Sequence, residues 1–193
     1  MARVREFDTE AAVEAAMIAF RRTGYEGTSA QDLVDATGIG RGSLYAAFGS
    51  KEGLYLAAVD RYRERYAQPL IEILRNGTPA RELLRAALVD LVDEIVRDGD
   101  HQACLIVSAA IERLPHDPKV AERVRSTTSS LEDALTEVIK EAQANGQVAS
   151  RRNTRDLARF FVMATHGLRV TGAINKDRRS LMATVEVALG CLD

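Results

Sequence analysis

Residues 28–51 read TSAQDLVDATGIGRGSLYAAFGSK, and the placing of their glycines and serines decides the fold. Gly38-Ile39-Gly40 separates two short runs of apolar residues at helical spacing, and Gly49-Ser50 closes the second. Glycine takes the left-handed backbone that ends a helix, and serine is a strong N-cap. The stretch therefore predicts a helix opening at Ser29, a turn at Gly38, a second helix from Arg41 to Phe48 and a third opening at Lys51 behind Ser50. Ser29 with Asp32 three residues on is a capping-box pattern. Leu33, Val34 and Ala36 give the first of these helices a buried side. Leu44 and Phe48, four apart, do the same for the second. Arg41, Gly42, Ser43, Tyr45 and Ala46 are left to face outward.

The same reading extends in both directions. Upstream, Asp8 or Thr9 caps a helix that runs to Thr23 and stops at Gly24, with Val13, Ala16, Met17 and Phe20 on one stripe. Downstream, the helix from Lys51 runs past Tyr62 and Tyr66 to about Leu74, with a bend expected at Pro69. Thr78-Pro79 opens the next helix, which ends near Arg97 before Gly99. A sixth covers about Gln102 to Leu114. Asp117-Pro118 repeats the cap-proline signal and opens a long seventh helix that closes at Asn145-Gly146. Its centre, Ser126 to Ser130, has weak helix propensity. Asn153 or Thr154 caps an eighth to Ile174, and Asp177 opens a ninth to about Leu192. The prediction is an all-α fold of nine helices, with residues 1–50 as one unit and 51–193 as a larger one joined through the fourth helix.

Two helices around a glycine turn form a helix-turn-helix, whose second helix enters the DNA major groove. Composition neither adds to this nor opposes it strongly. The 193 residues carry a formal net charge of −2, and 46% are hydrophobic, ample for a core. Residues 1–51 hold six basic side chains against seven acidic ones, so affinity for DNA has to come from where charges sit rather than from their sum. Two cysteines, Cys104 and Cys191, lie far apart among apolar neighbours, as expected of buried thiols in a reducing compartment. The N-terminal residues show no apolar h-region, and the longest uncharged stretch, His101 to Ile111, is too short to span a bilayer. A cytoplasmic protein without membrane contact is expected.

The run GYEGTS followed by GIGRGSLYAAFGSKEGLY closely resembles the tetracycline-repressor (TetR) family of bacterial transcription regulators. That family has a Gly-Tyr or Gly-Phe after its first helix, Thr-Ser before the second, a Gly-Val-Ser turn, a Leu-Tyr-x-x-Phe recognition helix and Ser-Lys-Glu opening the fourth. The resemblance is detailed over residues 7–60 and extends through the nine-helix count to the whole chain. It implies a dimeric repressor that binds a palindromic operator in double-stranded DNA and is released by a small-molecule effector, with no cofactor. By position it implies that Thr28 and Ser29 meet phosphate at a helix N-terminus. Arg41 and Ser43 would lie at the groove, with Gly42 and Ala46 beside them. Tyr45 would contact backbone or base, and Lys51 would pair with phosphate. Arg3 and Arg5 would add contacts from an arm. Gly40 stands where the family often has Ser or Thr, and Ala46-Ala47 where it often has His and Tyr. Two alanines leave fewer base hydrogen bonds and favour thymine methyl contacts and DNA shape.

The resemblance also implies a dimer formed by the last two helices as a four-helix bundle. Phe160, Ala164, Gly167, Leu168 and Thr171, with Leu181, Val185, Ala188 and Leu189, are the residues expected there. It places an effector among the central helices, with Tyr62, Tyr66, Cys104, Val107, Ile111, Phe161, Met163 and His166 as candidate lining. A second reading takes His101 and Cys104, three apart with His116 nearby, as a metal- or thiol-redox-sensing pair in a DNA-binding regulator. A metal site needs three or four ligands, so no metal is assigned. A helical enzyme is the remaining alternative. Three scattered histidines and no paired carboxylate motif supply no nucleophile, base or metal constellation for it.

Overall fold

The computed structural model describes residues 7–76, 79–97, 103–149 and 151–193, and every described element is helical. The order is α1 (Thr9–Gly27), α2 (Ala30–Thr37), α3 (Arg41–Phe48), α4 (Lys51–Tyr62), a π-helical segment (Arg63–Ala67), α5 (Gln68–Asn76), α6 (Ala80–Arg97), α7 (Leu105–Glu112), α8 (Pro118–Ala144), α9 (Thr154–Ile174) and α10 (Arg178–Leu189), closed by a 3-10 turn (Gly190–Leu192). The chain is helical without a break from Lys51 to Asn76. Taken as one element, that stretch restores the expected nine-helix order among the described residues. Thr78, His101 and Gln102 lie outside them, as do Arg3 and Arg5.

The caps are those expected from the sequence. The Asp8 carboxylate accepts from Glu10 N and Ala11 N at 2.9 and 3.2 Å. Ser29 and Asp32 close a full capping box on α2, and Gly38 ends that helix in the left-handed region. Ser50 accepts from Gly53 N. Asp117, Asn153 and Asp177 each accept first-turn N–H groups of α8, α9 and α10. Each such cap contributes about 1 kcal/mol. The weak run Ser126–Ser130 does not interrupt α8, because Val124, Thr127, Ala134 and Leu135 are buried along it and packing outweighs propensity.

Three boundaries differ from expectation. The regular course of the first helix breaks at Gly24 as expected, but a further turn follows it to Gly27, past a corner at Gly24 where φ is 75° and ψ is −179°. The irregularity expected at Pro69 begins earlier, as the π segment at Arg63–Ala67. Proline has no N–H to donate to the carbonyl four residues back, here Arg65, and its ring crowds that group. A locally widened helix relieves both. The sixth predicted helix is shorter than Gln102–Leu114: α7 begins behind Cys104, and Leu114 N turns back to Ala109 O at 2.9 Å.

The chain forms two compact units, Met1–Arg65 with Cys104–Val124, and Tyr66–Ala103 with Arg125–Asp193. In the first, α1 packs on α2, α4 and α7, and α3 on α2 and α4. Met17, Phe20, Leu33, Leu44, Leu54 and Tyr55 fill its centre. Each of these fully buried large side chains contributes about 1.5–3 kcal/mol to the cohesion of the unit. Phe20 and Tyr25 each meet Tyr55 edge-to-face at 4.9 Å and stack on one another at 6.2 Å. In the second unit α6, α9 and α10 pack together around Leu88, Val92, Leu157, Phe161, Leu181 and Val185. Packing thus groups α4 and α7 with the three leading helices. None of the described helices is long and apolar enough to cross a membrane.

Candidate nucleic-acid interface

The α2–α3 pair is held from beneath. Leu33 and Leu44 are fully buried, so the opposite faces of both helices are presented to solvent. On α3, Arg41, Gly42, Ser43 and Ala46 are exposed, and Tyr45 is half-buried. The Arg41 guanidinium lies 5.5 Å from the centre of the Tyr45 ring. That contact orients a cation whose planar fork matches phosphate and the guanine edge. Gly40 begins α3 with no side-chain cap, the local cost of lacking a Ser or Thr there.

Lys51 opens α4 beside α3, half-buried, its Nζ 4.3 Å from the centre of the Tyr25 ring. Ser29 is exposed at the start of α2. Its N–H donates to the Asp32 carboxylate at 2.7 Å, and its hydroxyl accepts from Asp32 N at 3.1 Å. These bonds to Ser29, with Lys51 nearby, hold the Asp32 carboxyl below its usual range. An anion therefore already occupies the α2 terminus, and the Ser29 hydroxyl is engaged with it.

Thr28 does not belong to this surface. It is fully buried, donates to Gly24 O at 2.6 Å and shares a 2.7 Å hydrogen bond with the Thr23 hydroxyl. It ties the Gly24 corner to the start of α2 and has no surface to offer a phosphate. The family resemblance implies a phosphate for Thr28 by its position at a helix N-terminus, where free N–H groups favour anions. The side-chain packing that turns Thr28 inward carries no local signal. Tyr25 was missed as a partner of Lys51. The available signal was an aromatic after Gly24 in a chain otherwise poor in aromatics.

The expected dimer residues divide. Phe160, Ala164, Gly167 and Thr171 lie on the partly or fully exposed side of α9. Leu168, Leu181, Val185, Ala188 and Leu189 are buried within the chain's own core and leave no area for a second subunit. The stripe that remains open on α9 is Phe160, Met163, Gly167, Val170 and Ile174, at helical spacing. Met163 is 63%, Val170 48% and Ile174 83% exposed. Val187, on the side of α10 away from its core residues, is 74% exposed. A second apolar stripe alternating with the core stripe was readable in the sequence, but periodicity alone does not say which stripe faces the core.

The effector candidates divide as well. Tyr62, Cys104, Val107 and Ile111 belong to the first unit, and Tyr66, Phe161, Met163 and His166 to the second. Ile111 is 73% exposed and Met163 faces solvent, so neither lines an enclosed space. Phe161 is part of the second unit's core. Tyr62 and Cys104 are both buried, the phenol donating to the thiol at 3.4 Å. Burial pushes His166 below the usual histidine range, with the Arg169 charge adding to it. His101 lies outside the described residues, and among the described residues no three His, Cys, Asp or Glu side chains converge as a metal would need.

Two family models match the chain: bacterial regulatory proteins of the tetR family over residues 12–58, and the tetracyclin repressor-like C-terminal domain over residues 80–188. The uncharacterized HTH-type transcriptional regulator YezE of Bacillus subtilis (strain 168) is 33% identical over 194 residues, covering 100% of both proteins. The HTH-type transcriptional repressor ComR of Escherichia coli (strain K12) is 29% identical over 181 residues, covering 93% of this chain and 86% of that one. Among solved structures, a cysteine mutant of the TetR family transcriptional regulator CifR, complexed with 26bp double-strand operator DNA, aligns over 100% of each chain at a TM-score of 0.87 and 31% identity.

Proposed function

Because the chain belongs to the tetR family of bacterial regulatory proteins, and is therefore a helix-turn-helix transcriptional regulator, we propose that it acts as a homodimeric repressor on a palindromic operator in double-stranded DNA. In this reading a small molecule bound in the region after residue 50 releases it. The observation that carries the proposal is the α2–α3 head, with Leu33 and Leu44 buried beneath and Arg41, Gly42, Ser43 and Ala46 turned outward. The relative complexed with operator DNA supports the choice of partner.

Arg41 and Ser43 reach base edges, Tyr45 the sugar-phosphate backbone or a base, and Ser29 and Lys51 phosphates. Ala46 packs on thymine methyl groups. With so few hydrogen-bonding side chains on α3, one head reads a short sequence, and selectivity in a genome requires two heads at a fixed spacing. The open stripe of α9, with Val187 of α10, receives the second copy. Phe160, Met163, Ala164, Gly167, Val170, Thr171 and Ile174, with Val187, bury against the same residues of the partner in a four-helix arrangement. The small residues at 164 and 167 permit close helix approach.

Residues 1–50, with Lys51 at the head of the connecting helix, then read DNA, and the rest of 51–193 binds the effector and the partner. Of the expected effector contacts, Tyr62, Cys104 and Val107 remain as candidates within the first unit, and Tyr66 and His166 as separate candidates within the second. The redox- or metal-sensing alternative is not favoured: Cys104 is buried and already bonded by Tyr62. The regulator acts in the cytoplasm and catalyses no reaction. A gel shift with DNA flanking its own gene tests the proposal. A salt-sensitive, sequence-selective complex is expected; if competitor DNA of random sequence displaces the protein equally well, the proposal fails.

A further inference from the structure

The corner at Gly24 is occupied by a side chain from far along the sequence. Gly24 has a φ of 75°, and a Cβ there would fall inside the Glu112 carboxylate. Past the corner, Tyr25 N and Glu26 N donate to Glu112 Oε2 at 2.7 and 3.1 Å. A regular helix would direct those groups to the carbonyls of residues 21 and 22. Here the turn restarts after Gly24, and its free N–H groups and positive end receive a carboxylate supplied by α7. The next residue, Arg113, lies with its guanidinium carbon 4.2 Å from the Tyr25 ring centre and pairs with Asp117 at 3.3 Å and Glu26 at 3.5 Å. The Tyr25 ring is also the one that Lys51 approaches at 4.3 Å.

We propose that Glu112 and Arg113 of α7 are positioning residues for DNA binding: they clasp the Gly24–Tyr25 corner, and through the Tyr25 ring they set the Lys51 ammonium at the DNA-facing start of α4. The proposal rests on the reading of Lys51 as a phosphate contact. It assigns a role to two residues more than 70 positions from the helix-turn-helix turn, both within the first compact unit. It also gives Gly24 a second reason to be glycine. Besides adopting the corner, it leaves the space in which the carboxylate sits. A disturbance of the C-terminal end of α7 would reach Lys51 by this route without moving the body of α3.

The sign of one substitution separates positioning from bulk electrostatics. Glu112→Gln removes a negative charge from a DNA-binding protein, which by long-range electrostatics alone tightens binding. The clasp requires the opposite, because an amide caps the corner less strongly than a carboxylate and frees Tyr25. The experiment is a fluorescence-anisotropy titration of labelled operator duplex with the full-length protein at several salt concentrations. The variants are Lys51→Ala, Glu112→Gln, Gly24→Ala and the Glu112→Gln/Lys51→Ala double, with circular dichroism to establish folding. Gly24→Ala displaces the carboxylate without changing net charge and serves if Glu112→Gln does not fold.

Lys51→Ala should lower the slope of log K against log salt by about 2 per dimer, one phosphate from each subunit. Glu112→Gln and Gly24→Ala should weaken binding about three- to thirtyfold, the range of a lost cation–π contact, and shift the slope toward that of Lys51→Ala. The double variant should bind no more weakly than Lys51→Ala alone. Glu112→Gln that tightens binding or leaves it unchanged, or losses that add in the double variant, overturn the clasp while leaving the Lys51 contact standing. A silent Lys51→Ala instead overturns the phosphate reading and with it the end point of the route.

Discussion

Val187→Asp is the substitution that separates the proposed dimer face from the core most cleanly. Val187 is 74% exposed in the single chain, on the side of α10 away from Leu181, Val185, Ala188 and Leu189. A polar replacement at so open a position changes the stability of one subunit by about 0.5 kcal/mol, the usual range for surface positions. In a dimer that covers this face the cost is far larger. Burying a valine contributes about 1.5 kcal/mol, so covering the open three-quarters contributes about 1 kcal/mol per subunit, or about 2 kcal/mol for two copies related by symmetry. Aspartate removes that and places two carboxylates in an apolar interface, each costing at least about 1–3 kcal/mol without a partner. The total of at least about 4 kcal/mol corresponds to a thousandfold weaker dimer. Sedimentation equilibrium over a dilution series measures this directly, with thermal melting monitored by circular dichroism at a fixed concentration. The expected result is a folded monomer at concentrations where the parent chain is dimeric. A variant that keeps the parent's dimer constant would show that α10 does not contribute the face, and the assignment of Met163, Val170 and Ile174 to the same surface would fall with it.

Three further outcomes follow from the geometry. Arg41→Ala should cost about 1–3 kcal/mol per subunit on the preferred operator and narrow the gap between operator and random duplex, read by competition anisotropy; a uniform loss on every sequence would make Arg41 a phosphate contact only. Thr28→Val leaves Gly24 O without its buried donor and should cost about 1–3 kcal/mol in urea unfolding while the salt slope of DNA binding stays as it was; a fall in that slope would restore Thr28 to the interface. His166 titrates below 6.5 in the folded chain because burial and Arg169 disfavour its cation, so the unfolded chain binds the extra proton. Its contribution is present above pH 6.5 and is lost as pH falls from there toward the native pKa. His166→Gln should flatten that part of the stability curve, and a slope that survives the substitution belongs to another group.

The fold was legible wherever local signals stood alone. Ser29–Asp32, Ser50, Asp117, Asn153 and Asp177 are caps whose chemistry lies within three residues, and each stands where the sequence puts it. The outward residues of α3 were legible for the same reason: Leu44 and Phe48 fix one face, and the others follow. What escaped depends on neighbours remote in sequence. Gly24 reads as a helix stop, and only the arrival of Glu112 from 88 residues later explains why the turn resumes beyond it. Thr28 has the composition of an anion site, but burial turns its hydroxyl inward. α9 carries two apolar stripes, and α10 carries one with Val187 on its far side. Their period predicts amphipathic helices without saying which stripe meets the chain's own core, and Leu181, Val185 and Leu189 were assigned to the wrong one.

The central claim is that two α2–α3 heads, held by the α9–α10 face, read a two-fold operator. Hydroxyl-radical footprinting of the purified protein on DNA flanking its own gene, with the stoichiometry measured on the same duplex, tests it most directly. Two protected half-sites related by a dyad, their centres about one helical turn or a multiple of it apart, with an even number of chains on the duplex, are predicted. A single protected patch without symmetry, carrying one chain, would contradict it.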